Sequence, residues 1–217
     1  MKMRVFLAVM MLSLMVYGSA GAWGLPSIPS IGGGSAAGDP DAFLAKAKVS
    51  EALVNKSADQ LFCLVTSKEE QAKAEEQQKK IDATSDAKEK DALTRDLTTS
   101  KCAAISKATA DKKLEAEAKN WDAQKKKLAA ASLFNLALGG KMAADLVPQG
   151  QKLASSITSN PMMLAKVNSL YEAVKSLGGI GIGTAKIITA IPPVFSAANI
   201  DVKLPSSSAE VPTATDL

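Results

Sequence analysis

Histidine does not occur among the 217 residues, and the sequence has two cysteines, Cys63 and Cys102. The usual zinc sites, Cys–His nucleophiles and Ser–His–Asp triads all need an imidazole or several thiolates, so the composition excludes them. A Ser–Lys pair stays open, with Ser155 or Ser176 as its serine, although no spacing favours either. We therefore expect a protein that is not an enzyme and that uses no cofactor and no metal.

The glycine-rich stretch at residues 178–183 can be compared with phosphate-binding loops. Its G-x-G-x-G spacing follows a predicted helix, whereas the dinucleotide fingerprint needs G-x-G-x-x-G after a strand. The P-loop needs Gly-Lys-[Ser/Thr], which this stretch also lacks. The favoured interpretation is a flexible connector between helices. The alternative is a ligand-binding or membrane-active segment over residues 177–200, whose candidate contact residues are Gly178, Gly179, Gly181, Gly183, Lys186 and Ile187.

The N-terminus has the three-part pattern of a secretory signal peptide. The first four residues include Lys2 and Arg4, Val5–Tyr17 is almost wholly apolar, and Ala20–Ala22 fits the small-x-small rule for cleavage. We expect cleavage near Ala22 and an extracytoplasmic location, periplasmic or secreted; a retained N-terminal anchor is the alternative. Loss of the two basic residues of residues 1–22 lowers the net charge from +4 to +2. The charge therefore does not indicate a nucleic-acid partner.

Charge divides the rest of the chain into two unlike parts. Residues 23–38 are rich in Pro, Gly and Ser and predict a flexible linker. Residues 41–127 carry 34 charged side chains, whereas residues 128–217 carry 11. This shift, together with the low aromatic content, predicts an all-α protein with a charged helical part and an apolar helical part.

The charged part predicts a long antiparallel, coiled-coil-like helical hairpin over residues 39–138. Asp39 is a good N-cap, and Pro40 suits the first helical position. The predicted turn residues are 84–86, where Asp86 can cap the second helix. We therefore predict helices over 41–81 and 86–138, with the sparsely apolar residues 68–100 projecting as an arm.

This hairpin would bring the two cysteines together. A turn centred between residues 82 and 83 places Cys63 directly opposite Cys102, and the same register pairs Leu44 with Trp121. Packed helices hold facing Cα atoms within disulfide range, and exported proteins meet oxidising conditions. The sequence therefore predicts a Cys63–Cys102 bridge, which would stabilise the fold by roughly 4 kcal/mol.

The apolar part predicts short helices over residues 139–203 that pack on the base of the hairpin. Helix ends are expected at Gly139–Gly140, before Pro148, and at Gly178. Residues 204–217 have the composition of a disordered tail.

These features favour an exported structural or binding module, such as an envelope scaffold, an adaptor or a holdase-like partner binder. A protein partner or self-association is expected. A membrane-interacting or pore-forming protein that uses residues 177–200 is the second hypothesis.

Overall fold

The computed structural model describes residues 39–157 and 164–215, so the predicted signal peptide (1–22) and linker (23–38) lie outside the described residues. The described residues form helices joined by turns and extended segments, without a β-strand, which confirms the all-α prediction. Seven helices occur in this part of the chain: α1 Pro40–Val65, α2 Lys68–Ala83, α3 Ala87–Thr109, α4 Lys112–Ala118, α5 Ala123–Ile157, α6 Leu164–Ala190 and α7 Pro192–Ala197.

Two predicted helix starts are confirmed. The Asp39 carboxylate accepts a hydrogen bond from the backbone N–H of Asp41 at 2.9 Å, and Pro40 occupies the first turn of α1. Asp86 caps α3 by accepting from the N–H of Glu89 at 2.8 Å. The chain therefore turns at residues 84–86, as expected, and α2 and α3 on either side of this short connection pack as an antiparallel hairpin.

A second reversal, which was not predicted, separates α1 from α2. Thr66 and Ser67 are extended, and Ser67 forms a reciprocal capping box with Glu70 at the start of α2. The side chain of Gln71 reaches back and donates to the backbone carbonyls of Cys63 and Thr66, both at 3.0 Å. The predicted helix over 41–81 is therefore two helices that meet in a turn.

Because the chain reverses twice, α1 and α3 run parallel. The Thr98 hydroxyl donates to Asn55 Oδ1 at 2.9 Å, and Lys101 Nζ donates to Asp59 Oδ1 at 2.6 Å. From the first pair to the second, the residue number rises in both helices. In an antiparallel pair one partner would advance while the other receded. The predicted antiparallel hairpin over 39–138 is therefore wrong for α1 and α3. The predicted projecting arm over residues 68–100 is also wrong for α3, because α3 packs against both α1 and α6; α2 packs on α3 and has one buried residue, Ile81.

Glycines in the middle of α5 bring three long helices close together. A Cβ on Gly139 would lie 2.6 Å from Val54 Cγ2 of α1, and one on Gly140 would lie 2.5 Å from Thr184 Cγ2 of α6. The buried hydroxyl of Ser50 donates to the Gly139 carbonyl oxygen at 2.8 Å. The expected helix end at these glycines does not occur, because they serve as contact surfaces on the two sides of one continuous helix.

Two apolar clusters form the core of the described residues. The first gathers apolar side chains of α1, α3, α4, α5, α6 and α7, including Leu61, Phe62, Ile105, Trp121, Leu133, Leu136, Ile187, Ile191 and Phe195. The second joins the start of α1 to the later part of α5 and the first half of α6 and includes Phe43, Ala47, Leu146, Leu153, Leu170 and Leu177. Trp121 belongs to the first cluster, whereas Leu44 packs against the second, so the predicted pairing of these two residues does not occur.

The residues after α7 return along α5. Asn199 adopts a left-handed conformation (φ 54°) and the N–H of Ile200 donates to the Phe195 carbonyl at 2.9 Å, which ends α7. Where the composition predicts disorder, the structure places residues 204–215 against α5. There Asn135 forms two hydrogen bonds with the backbone of Thr213, both 2.7 Å long.

Candidate functional site

Both cysteines are free thiols in the structure, so the predicted disulfide staple is not supported. The parallel arrangement of α1 and α3 explains why. Cys102 follows Lys101, which is level with Asp59, and is therefore about three residues, or ~4.5 Å along the axis, from the level of Cys63. Cys63 is exposed, whereas Cys102 is buried and faces Gly183 of α6.

The surroundings of the two thiols suppress their reactivity. Burial raises the pKa of the Cys102 thiol to about 11, and the Asp59 carboxylate adds to this effect. Partial burial also raises the pKa of Cys63; Asp59 adds to the increase and Lys101 opposes it. Both side chains are therefore neutral thiols near pH 7, and neither is an activated nucleophile.

Cys102 lies at the bottom of a groove between α1, α3 and α6. We call this cavity of about 600 Å³ the three-helix groove. It has the size of a small-ligand site. Its lining residues are Lys48, Glu51, Ala52, Val54 and Asn55 of α1; Asp91, Ala92, Thr94, Arg95, Asp96, Thr98, Thr99 and Cys102 of α3; and Lys175, Ser176, Gly179, Ile180 and Gly183 of α6.

The floor of the three-helix groove is uncharged, and its buried lining residues are Val54, Cys102 and Ser176. Ser176 is 6% exposed, and its hydroxyl has no hydrogen-bond partner in the structure. A Cβ on Gly179 would meet no atom within 4 Å, whereas one on Gly183 would lie 3.5 Å from Cys102 Sγ. The small residues of α6 therefore leave the groove open, while the Ser176 hydroxyl oxygen itself is covered by protein atoms.

The rim of the groove carries charges of both signs in equal number. Three cations and three anions line it: Lys48, Arg95, Lys175, Glu51, Asp91 and Asp96. Arg95 also approaches Glu172 at 3.7 Å, but both side chains are well exposed, so solvent screens this pair. The charges that line the groove therefore do not attract a polyanion such as a nucleotide.

The chemistry available in the groove is hydrogen bonding and ion pairing. The unpaired Ser176 hydroxyl has no base beside it to take its proton, so the structure gives no support to a Ser–Lys nucleophile at this position. No cluster of metal-ligating side chains occurs in the described part of the chain. None of the lining residues is aromatic, so a ring or a base finds no stacking platform.

The candidate residues of the glycine-rich stretch are divided between different surroundings. The stretch is helical throughout, as part of α6, and is not the expected flexible connector. Gly179 and Gly183 line the groove with Cys102, whereas Gly178 and Gly181 do not. Lys186 is exposed, and Ile187 is fully buried in the first apolar cluster.

The membrane hypothesis concerns the same segment. Within residues 39–157 and 164–215, no helix is both long and apolar enough to cross a membrane.

Asn55, Thr98 and Arg95 are groove residues that the sequence did not single out. Ordinary polar residues on a charged helix carry no signal of a site. Their role depends on α3 lying beside α1 and α6, which the predicted hairpin did not include.

Comparison with family models, with curated proteins and with solved structures finds no match to this chain. Its function must therefore be inferred from the fold and from the three-helix groove.

Proposed function

We propose that this chain is an exported, non-enzymatic binding module, and that the three-helix groove holds its partner. The observation that carries the proposal is the open groove of about 600 Å³ between three helices, which is lined by three cations and three anions.

The rim and the floor together favour a polypeptide partner. A protein segment offers amide groups to the neutral floor and side chains of both signs to the mixed rim. The signal-peptide pattern supports an encounter outside the cytoplasm. The role is that of an adaptor or holdase-like binder, with the helices as a rigid support.

The test is to fill the groove without disturbing the fold. Gly179→Leu puts a bulky side chain into the groove at a position where a Cβ meets no atom. Gly178→Leu is the matched control, because its Cβ also meets no atom but the residue does not line the groove. Each tagged variant is used to capture partners from an extracytoplasmic extract, with wild type in parallel.

We expect Gly179→Leu to lose the proteins that wild type and Gly178→Leu both retain. Equal recovery by all three proteins would show that the groove is not where the partner binds. Circular dichroism melts of the three proteins check that any loss is not due to unfolding.

A further inference from the structure

The C-terminal residues are held on α5 through their backbone. Asn135 donates from Nδ2 to the Thr213 carbonyl oxygen, and its Oδ1 accepts from the Thr213 N–H; both distances are 2.7 Å. One buried side chain, 4% exposed, thus pairs with both polar groups of a single residue's main chain. No side-chain atom of Thr213 takes part in this pair, so the recognition does not depend on the residue type.

A second anchor lies six residues further along α5. Lys141 Nζ donates to the Ser206 carbonyl oxygen at 2.6 Å and lies 3.4 Å from that of Pro205. These partners are again backbone carbonyls. The tail therefore runs antiparallel to α5, with Ser206 near Lys141 and Thr213 near Asn135.

Other contacts of the tail involve its own side chains: the Ser206 hydroxyl donates to the Glu210 carboxylate at 2.6 Å, within the tail. Pro205 and Thr215 are buried, whereas Val211 is 81% exposed and Leu204 is 47% exposed. The turn between the anchors is closed within the tail, where Glu210 accepts from the N–H of Ser207 at 3.0 Å. The start of the tail, at Leu204, also lines an apolar cavity of about 260 Å³ together with Leu133 of α5.

We propose that this face of α5, defined by Asn135 and Lys141, is a binding site for extended polypeptide main chain, which the protein's own tail occupies. When the tail leaves, an extended segment of another polypeptide takes the same hydrogen bonds. The partner is any such segment that offers a free N–H and C=O pair, because the anchors contact backbone atoms. This site is separate from the three-helix groove and does not depend on the function proposed for it.

Attachment of the tail to α7 keeps the site closed. A short connection gives the tail an effective concentration in the millimolar range, so a free peptide at micromolar concentration does not displace it. The site opens only when the tail is weakened or captured elsewhere.

The experiment uses the full chain with one substitution in the tail. Thr213→Pro removes the N–H that donates to Asn135 Oδ1, so the two hydrogen bonds between Asn135 and residue 213 can no longer form together. Ala214→Pro is the matched control, because Ala214 is exposed and adjacent to the anchor. Release of the tail is read from hydrogen exchange of its backbone amides. Binding is read from the fluorescence anisotropy of a labelled synthetic peptide with the sequence of residues 204–217.

We expect the peptide to bind Thr213→Pro at least tenfold more tightly than it binds wild type or Ala214→Pro. A scrambled peptide of the same composition should bind Thr213→Pro within about threefold of the native sequence. Adding Asn135→Ala to Thr213→Pro should weaken binding at least tenfold, while Gly179→Leu should leave it unchanged.

Three results would each overturn the proposal. The tail amides could stay protected in Thr213→Pro, which would show that Asn135 does not hold the tail. The peptide could fail to bind the released site, or bind equally well without Asn135. The scrambled peptide could fail to bind, which would make the contact specific to this tail and not a main-chain site.

Discussion

Substitution of single glycines by alanine tests how the long helices pack. Gly139 and Gly178 both lie inside helices, so alanine should gain about 1 kcal/mol of helix propensity at either position. The surroundings of the two differ. A Cβ on Gly178 meets no atom within 4 Å, whereas one on Gly139 lies 2.6 Å from Val54 Cγ2 and 3.1 Å from the Ser50 carbonyl oxygen.

The difference between the two variants isolates the cost of overpacking. Because the propensity gain is common to both, it cancels, and the added methyl at Gly139 should cost about 1–3 kcal/mol relative to Gly178→Ala. The Ser50 oxygen belongs to the backbone of α1 and cannot rotate away. The Ser50 hydroxyl, which donates to the Gly139 carbonyl oxygen at 2.8 Å, would also lose its approach to that oxygen.

Urea and thermal unfolding measure this difference. For a domain of this size, each kcal/mol corresponds to roughly 2–4 °C in Tm. We expect Gly178→Ala to melt above wild type, and Gly139→Ala to melt about 2–12 °C below Gly178→Ala, with similar urea m-values. Equal stability of the two variants would contradict the close packing of α1 on α5.

Three further outcomes follow from the structure. First, burial raises the pKa of Cys102 from 9.0 to about 11, so the folded state favours the neutral thiol. The folded protein should therefore lose stability as pH rises from 9 to 11. In urea titrations this loss should be about 2–3 kcal/mol for wild type and much smaller for Cys102→Ala. Second, Asp86→Ala should cost about 1 kcal/mol through loss of the α3 cap, whereas Asp91→Ala, which caps no helix, should leave the unfolding midpoint almost unchanged. Third, non-reduced peptide mapping should find both thiols free, with iodoacetamide modifying exposed Cys63 before buried Cys102 at pH 8; a Cys63–Cys102 linked peptide would contradict the assigned register.

Local helix signals were readable from the sequence because they act over three or four residues. Asp39 with Pro40, and Asp86 with Glu89, predicted two helix starts that the structure confirms. The same kind of signal, Ser67 with Glu70, was present at the second reversal but was not used. Recognising it would have split the first predicted helix and changed the relation of α1 to α3.

Features that depend on packing could not be predicted in this way. Gly139–Gly140 have low helix propensity, yet α5 continues through them because α1 and α6 approach too closely for a side chain there. The three-helix groove depends on which helices become neighbours. The docked tail has a composition typical of disorder, but Asn135 and Lys141 bind its backbone, which composition does not describe.

The two reversals of the chain, which make α1 and α3 parallel, are tested most directly by one distance. Spin labels are placed at Lys48 and Asp91, two exposed residues that line the three-helix groove, in a chain that also carries Cys63→Ser and Cys102→Ala. Parallel neighbours predict an electron–electron distance below about 20 Å, because packed helix axes lie 8–10 Å apart. A single hairpin turning at residue 83 would place residue 91 opposite residue 74, and a measured distance near ~40 Å would therefore contradict the parallel arrangement.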